Sequence, residues 1–161
     1  MVSNANFIGT NIADRYCITG QIGEGGMGRV YSAISYEDPS RTVAIKLIQR
    51  DKELSSEDLL RFQKEAALMS QLHHPNIICF YELGLFGNET IDGTAPSGLE
   101  GGYYIVMEVA EGEDLKNLLK SGIRRDLGFF FNVGIKVSSA LAYTHSKNII
   151  HRDIKPQNII V

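Results

Sequence analysis

The residues best suited to chemistry lie near the end of the sequence, in the stretch HRDIKPQN at 151–158. Asp153 has a carboxylate that can take a proton from a hydroxyl group, a role typically worth roughly 10²- to 10⁴-fold in rate. Lys155 can neutralise a phosphoryl group during transfer, and the amide oxygen of Asn158 can bind a metal ion. Pro156 keeps Lys155 out of helical geometry, which favours a rigid loop. The stretch therefore predicts a site for phosphoryl transfer, and a plain polar turn before the apolar IIV is the alternative.

A glycine cluster in IGEGGMGRV gives a second candidate site, since Gly23, Gly25 and Gly28 form the pattern G-x-G-x-x-G. Glycines let backbone N–H groups approach phosphate oxygens because no Cβ stands in the way. The pattern alone is weak evidence, and a glycine-rich hairpin without a ligand is the other interpretation. A dinucleotide-binding fingerprint uses the same spacing but needs a helix directly after the glycines. The strand-like RVYSAIS follows here, which argues against that enzyme class.

A lysine and a glutamate lie among apolar residues. Lys46 is in the middle of TVAIKLIQ, where its amine either reaches water at the strand edge or binds phosphate beside an acid. Glu65 falls between Met69 and Leu72 on the apolar face of a predicted helix, where an unpaired carboxylate is costly. A local pair with Arg61 would stabilise the helix by only ~0.2–0.5 kcal/mol and would not require that position. We therefore predict that Lys46 is the partner of Glu65.

The elements around these residues follow from hydrophobic periodicity and turn signals. Strands are predicted for YCITGQIG, RVYSAIS, TVAIKLIQ, NIICFYELGLF and YYIVMEVA, and short connections make an antiparallel arrangement the natural one. A helix is predicted for SSEDLLRFQKEAALMSQLHHP, with a capping box from Ser55 to Asp58 and an end no later than Pro75. EDLKNLLKSG predicts a short helix. DLGFFFNVGIKVSSALAYTHSK predicts a long one with Leu127, Phe130, Val137 and Leu141 on its inner side.

Composition excludes several classes of protein. A length of 161 residues, 43% hydrophobic and 22% charged, suits one globular domain, and a net charge of −3 gives no basic stripe for nucleic acid. Cys17 and Cys79 have no metal-like spacing and suggest thiols in a reducing compartment, with a single bridge as the alternative. The start has no secretory signal, and no apolar run approaches the ~20 residues that span a bilayer. A cytoplasmic chain with no membrane segment of its own is expected, and a membrane anchor beyond Val161 in a longer product is left open.

Taken in order, these motifs resemble the eukaryotic-like (Hanks-type) protein kinase family, in its bacterial serine/threonine branch. The matching pieces are GEGGMGRV, VAIK, Glu65, YYIVMEVAEGEDL and HRDIKPQN, and the resemblance runs from Tyr16 onward. It implies an α+β, protein-kinase-like fold. An N-lobe with an antiparallel five-stranded sheet and one long helix would be followed by the first helices and the catalytic loop of a truncated C-lobe.

Domain boundaries follow from the same resemblance. Residues 1–15 would be an N-terminal tail, and 16–110 the N-lobe with a mobile loop at 87–102. Residues 111–161 would be the hinge and an incomplete C-lobe that ends after the catalytic loop. A family domain runs to roughly 250 residues, so the chain is expected to be its N-terminal portion.

The resemblance implies roles for individual residues. Asp153 would be the catalytic base, Lys155 would contact the γ-phosphate, and Lys46 would bind phosphates and pair with Glu65. Asn158 would bind Mg²⁺. The residues expected to bind ATP are Ile22, Gly23, Glu24, Gly25, Gly26, Met27, Gly28, Val30, Ala44, Lys46, Met107, Glu108, Ala110 and Asp114. Val30 and Ala44 would lie against the adenine, Met107 would be the gatekeeper, and Asp114 would lie near the ribose.

The implied function is transfer of the ATP γ-phosphoryl group to a serine or threonine hydroxyl of a protein substrate, without nucleic acid. The 161 residues contain no D-F-G, activation loop or A-P-E. Because the D-F-G aspartate binds magnesium in this family, the chain alone is expected to be inactive. The alternative hypothesis is a non-catalytic nucleotide-binding or docking module built on a kinase N-lobe.

Overall fold

The computed structural model describes most of the chain, namely residues 7–25, 28–49, 64, 66–86, 102–122 and 125–161. The chain divides into two compact units. The first comprises Met1–Gln71 and Phe80–Val109, and the second comprises Leu72–Cys79 and Ala110–Val161. The boundaries expected from the sequence, at 1–15, 16–110 and 111–161, stay a prediction.

The first unit is built on an antiparallel sheet in the order β1-β2-β3-β4-β6-β5. Its strands are β1 (Asn11–Ile12), β2 (Tyr16–Gly25), β3 (Gly28–Ser35), β4 (Thr42–Gln49), β5 (Phe80–Phe86) and β6 (Gly102–Met107). The predicted antiparallel sheet of five strands is confirmed as β2 to β6, and the two-residue β1 extends it to six. That short strand was not predicted, because two residues carry no detectable alternation.

The core of the first unit lies on one face of this sheet. In β4, Val43, Ile45 and Leu47 are buried, while Ala44 and Lys46 alternate with them and face the other side. The segment assigned to an N-terminal tail also contributes, since Phe7 and Ile12 are 4% and 1% exposed. The complete set of buried core residues is Phe7, Ile12, Tyr16, Ile18, Tyr31, Ala33, Val43, Ile45, Leu47, Phe86, Tyr104 and Val106.

A polar network joins the two ends of the sheet. The Nη1 atom of Arg15, just before β2, lies 2.6 Å from Oε2 of Glu82 in β5. The Tyr104 hydroxyl in β6 donates to the other carboxylate oxygen of Glu82 at 3.2 Å, and the Tyr104 ring meets Tyr16 edge-on. Because β2 and β5 lie near opposite ends of the strand order, these contacts hold the sheet in a curl around its core.

The predicted helix between β4 and β5 lies largely outside the described residues, which include only Lys64 and a segment at 66–69 as helical parts of it. The capping box at Ser55 and Asp58 and the proposed pairs of Glu65 with Lys46 or Arg61 lie outside them too. So does nearly all of the predicted loop at 87–102, of which only Gly102 is described, as the first residue of β6.

The second unit contains α1 (Leu115–Lys120), α2 (Leu127–Ser146) and a 3₁₀ turn (Pro156–Asn158). The carboxylate of Asp126 caps α2 by accepting from the Phe129 amide at 2.7 Å. His74 stacks on Tyr143 of α2, and its Nε2 lies 3.1 Å from the hydroxyl oxygen of Ser139. Within the described ranges, no helix combines the length and apolar character needed to cross a membrane.

The prediction that Leu127 and Phe130 lie on the inner side of α2 is wrong. Leu127 and Phe130 are 71% and 44% exposed, whereas Val137 and Leu141 are half-buried. Helical periodicity identifies which residues share a face, but it does not determine what covers that face along its whole length.

The first unit is expected to lose stability in alkali, because Tyr104 gives up its phenolic proton more readily in the unfolded chain than in the folded one. Burial and the nearby Glu82 carboxylate raise the pKa of Tyr104 from 10.0 to about 12. Between these values the unfolded chain loses its phenolic proton while the folded chain keeps it, so the free energy of unfolding falls as pH rises. Urea unfolding across this pH range measures the slope, which Tyr104→Phe should reduce. If the free energy of unfolding fell equally steeply with pH in the unmodified protein and in Tyr104→Phe, the raised pKa would not belong to Tyr104.

Replacing Tyr31 by phenylalanine is expected to stabilise the protein. The ring is 2% exposed, and within the described residues its hydroxyl is buried without a hydrogen-bond partner. An unpaired buried polar group costs about 1–3 kcal/mol, so Tyr31→Phe should raise the free energy of unfolding by about 1 kcal/mol. Tyr104→Phe is the matched control and should lower the free energy of unfolding, because the Tyr104 hydroxyl donates to Glu82. Chemical denaturation at neutral pH distinguishes them, and a loss of stability in Tyr31→Phe would refute the prediction.

Candidate functional site

The strand register of the first unit brings four predicted nucleotide-binding residues to one sheet face. Val30 of β3 lies opposite Lys46 of β4, and Ala44 of β4 lies opposite Met107 of β6. Directly paired residues share a face, as do residues two apart on one strand. Lys46 and Met107 are half-buried and Ala44 is buried, so the lysine shares this face with apolar residues. Such a face suits a flat apolar ring beside an anionic group.

The glycine-rich stretch forms the hairpin between β2 and β3. Gly25 pairs with Gly28 at its tip and Gly23 pairs with Val30, with a register shift between Gln21 and Gly23. No atom of the described residues lies within 4 Å of a Cβ added to Gly23. Packing within the described residues therefore does not require glycine at this position, whereas close approach of a ligand to the backbone would.

The other residues predicted for the first site are only partly described. Ile22 is 50% exposed on β2, and Glu108, just after β6, is also exposed. The backbone of Glu24 belongs to β2. Gly26, Met27 and Glu65 lie outside the described residues.

The catalytic-loop candidates in the second unit converge on the carboxylate of Asp153. The Lys155 ammonium lies 2.8 Å from its Oδ2 atom. The Asn158 side-chain nitrogen donates to the same Oδ2 at 3.0 Å and to the Asp153 backbone carbonyl at 2.8 Å. The backbone amide of Asn158 donates to the Lys155 carbonyl in the 3₁₀ turn. The three residues that sequence reasoning singled out therefore form one hydrogen-bonded cluster.

These contacts keep Asp153 ionised. The hydrogen bond from Lys155, followed by the one from Asn158, lowers the pKa of the Asp153 carboxyl below its ordinary value of 3.8. Its side chain is 55% exposed, which leaves it accessible to a partner. At neutral pH the loop thus presents a charged, accessible carboxylate that can accept a hydrogen bond.

The Asn158 amide also determines which atom is available to a metal ion. Since the nitrogen donates to two oxygens of Asp153, the amide oxygen Oδ1 is the side-chain atom suited to bind a hard cation. Within the described residues, no group of three or more His, Cys, Asp or Glu side chains could hold a metal. Mg²⁺ commonly binds to one or two protein oxygens and takes its other ligands from phosphates and water. The loop can supply one such protein oxygen, Oδ1 of Asn158.

Asp114 and Ala110 both belong to the second unit. Asp114 is the N-cap of α1, where Oδ1 accepts from the Asn117 amide at 2.9 Å and Oδ2 from the Asn117 side-chain nitrogen at 2.7 Å. Both carboxylate oxygens are thus used by the helix. The expected contact of Asp114 with a ribose stays a prediction, and it would require these hydrogen bonds to be shared.

A glycine-rich hairpin, a strand lysine and an Asp–Lys–Asn loop are the parts from which enzymes that transfer phosphoryl groups from nucleotides are built. The chain matches the family described as "Protein kinase domain" over residues 16–161. It is 40% identical over 156 residues to the serine/threonine-protein kinase PrkC of Bacillus subtilis and 36% identical over 154 residues to a probable serine/threonine-protein kinase PknB of Lactococcus lactis. The chain therefore belongs to the protein kinase domain family, in the serine/threonine branch that these bacterial relatives represent.

The match covers nearly all of the chain but only part of its relatives. Both alignments include 96% of this chain and 22% of the relative's length. The crystal structure of the Mycobacterium tuberculosis PknI kinase domain aligns with a TM-score of 0.75 at 25% identity, over 97% of this chain and 58% of that one. The chain thus spans about a fifth of the length of the curated relatives it matches.

Removing Lys155 is expected to raise the pKa of Asp153. Since the hydrogen bond from Lys155 is the largest cause of the lowered value, Lys155→Met should move the pKa toward 3.8, and Asn158→Ala should move it less. Carboxyl ¹³C signals followed through an acid titration by NMR give the pKa directly. An unchanged titration of Asp153 in Lys155→Met would show that the pair does not form in solution.

Proposed function

We propose that this chain supplies the nucleotide-binding and catalytic-loop residues of a serine/threonine protein kinase, which transfers the γ-phosphoryl group of ATP to a protein hydroxyl. The observation that carries the proposal is the convergence of Lys155 and Asn158 on the carboxylate of Asp153. That cluster combines an ionised acceptor, a cation and an amide oxygen within one short loop. Family membership supports the reaction class, and the loop geometry supports the roles.

In the proposed reaction the substrate hydroxyl oxygen attacks the γ-phosphorus of ATP, the bond to the β–γ bridging oxygen breaks, and ADP leaves. The hydroxyl proton passes to Asp153. Since Lys155 and Asn158 both use Oδ2 of this carboxylate, we assign Oδ1 as the atom that accepts the proton. The ammonium of Lys155 is close enough to Asp153 to offset negative charge on the group in transfer.

Metal binding in this proposal involves the amide oxygen of Asn158. Bound Mg²⁺ would supply positive charge that offsets the charge on the phosphates. The chain's own contribution is to hold Oδ1 of Asn158 in one orientation, through the two hydrogen bonds that its nitrogen donates to Asp153.

Nucleotide binding is assigned to the sheet face of the first unit. Val30, Ala44 and Met107 would contact the adenine ring through apolar surface, and Lys46 would bind the α- and β-phosphates. Lys46 is half-buried beside Val30 and Ala44, so its cation would lie next to the apolar surface proposed for the adenine ring and could pair with a phosphate.

Replacing Asp153 by asparagine is expected to slow phosphoryl transfer strongly while ATP still binds. In the full natural product that carries these residues, turnover on a serine- and threonine-containing protein should fall by at least ~10²-fold because the proton acceptor is lost. Lys46→Met should instead weaken the binding of a fluorescent ATP analogue. Transfer of labelled γ-phosphate and analogue titration measure the two effects.

Asn132→Ala, an exposed change on α2, is the matched control for protein quality and should leave both quantities unchanged. Undiminished transfer in Asp153→Asn would contradict the catalytic role. Nucleotide binding without transfer in the unmodified full product would instead favour the non-catalytic module.

A further inference from the structure

The end of the catalytic loop is bonded to the segment just before α1. The Glu113 amide donates to the Val161 carbonyl at 3.2 Å, and the Val161 amide donates back to the Glu113 carbonyl at 3.0 Å. The Leu115 amide donates to the Ile159 carbonyl at 2.8 Å, and Asp114 forms a bridge with Ile160. We call this set of backbone bonds between 113–115 and 159–161 the loop bridge.

Gly112 is the residue that lets the two segments come so close. Its φ of +119° lies in a region that other residues rarely adopt. A Cβ added there would also lie less than 3.0 Å from the carbonyl oxygen of Val161, which is the acceptor in the loop bridge. Any other residue at 112 would therefore have to change its backbone and displace Val161.

The other end of the loop bridge is fixed by the start of α1. Asp114 caps the helix, and both of its carboxylate oxygens accept hydrogen bonds from Asn117. This cap holds the backbone of segment 113–115 in one conformation. Ile159, which follows Asn158 directly, accepts a hydrogen bond from the Leu115 amide of this segment through its carbonyl. Asn158 thus lies between two anchors: the loop bridge on one side and its bonds to Asp153 on the other.

We propose that Gly112 is a positioning residue for Asn158, which holds the metal-binding amide oxygen in place through the loop bridge. The proposal rests on the function proposed above, because it takes Asn158 as a metal ligand. Gly112 itself would touch neither nucleotide nor metal. Its effect would reach the reaction only through Val161, Ile159 and Asn158.

The test compares two glycines of the same unit. Gly112→Ala should free the Asn158 side chain, so that its NH₂ protons shift in the NMR spectrum of this chain and exchange with solvent about tenfold faster. Gly122→Ala is the matched control, since Gly122 also has a positive φ, +71°, but no atom of the described part of the chain lies within 4 Å of an added Cβ. It should bear backbone strain and leave the Asn158 signals unchanged.

A second variant keeps the test decisive where Gly112→Ala does not fold. Leu115 is the first residue of α1, where proline is tolerated, and Asp114 already has the extended backbone that precedes proline, with ψ of 142°. Leu115→Pro removes the amide that donates to Ile159. It should therefore produce the same change in the Asn158 signals. Because it also removes a buried side chain, Leu115→Ala, which keeps the amide, is its control and should leave the Asn158 signals unchanged.

The metal readout is kinetic. In the full natural product, Gly112→Ala should raise the Mg²⁺ concentration for half-maximal turnover by about tenfold, with kcat recovered at saturating Mg²⁺. Unchanged Asn158 signals in both Gly112→Ala and Leu115→Pro, or equal changes in Gly122→Ala, would overturn the proposal. So would altered signals with an unaltered Mg²⁺ requirement. A lack of turnover in the unmodified product would instead refute the proposed function, whatever the Asn158 signals do.

Discussion

The alternation of side chains along β4 is the constraint on which the first unit depends. Val43, Ile45 and Leu47 enter the core, while Ala44 and Lys46 face the other side. Because the period is two, a shift of one residue would bury the lysine and expose the core residues. β4 pairs with β3 on one edge and β6 on the other. Its register therefore also determines which residues of those strands share a face with Lys46.

The loop of the second unit that contains Asp153 is arranged by local contacts. Asp153, Lys155 and Asn158 are close in sequence, and the 3₁₀ turn over Pro156–Asn158 brings the asparagine back onto the aspartate. Loop closure over so few residues has a small entropic cost. The loop bridge joins this loop to a distant part of the chain, and it does so immediately after Asn158.

This difference explains what could be predicted from the sequence. The strand around Lys46 and the loop around Asp153 were predictable because alternation and turn residues are local signals. The burial of Phe7 and the pairing of Arg15 with Glu82 were not, since both depend on contacts between residues far apart in sequence.

The close approach of Gly112 to Val161 and the capping role of Asp114 were not predicted, for different reasons. A glycine between acidic residues just before a helix is a signal for a special backbone conformation, but it does not identify Val161 as the neighbour. An aspartate before LKNLLK is an ordinary N-cap signal. The resemblance implies a ribose contact for Asp114, which stays a prediction, and the structure adds that both of its carboxylate oxygens accept hydrogen bonds from Asn117.

In the proposed reaction, the bonds that position Asp153 would also weaken it as a base. Lys155 and Asn158 lower its pKa, and a carboxylate with a lower pKa gains less by accepting a proton. In a loose transition state for phosphoryl transfer the attacking oxygen has formed little bond to phosphorus, so its hydroxyl proton is only slightly more acidic than in the ground state. Under that condition orientation of the hydroxyl contributes more than proton affinity does. A carboxylate that two neighbours hold through one oxygen, with the other oxygen left for the substrate, is better suited to orienting a hydroxyl than a free and more basic one.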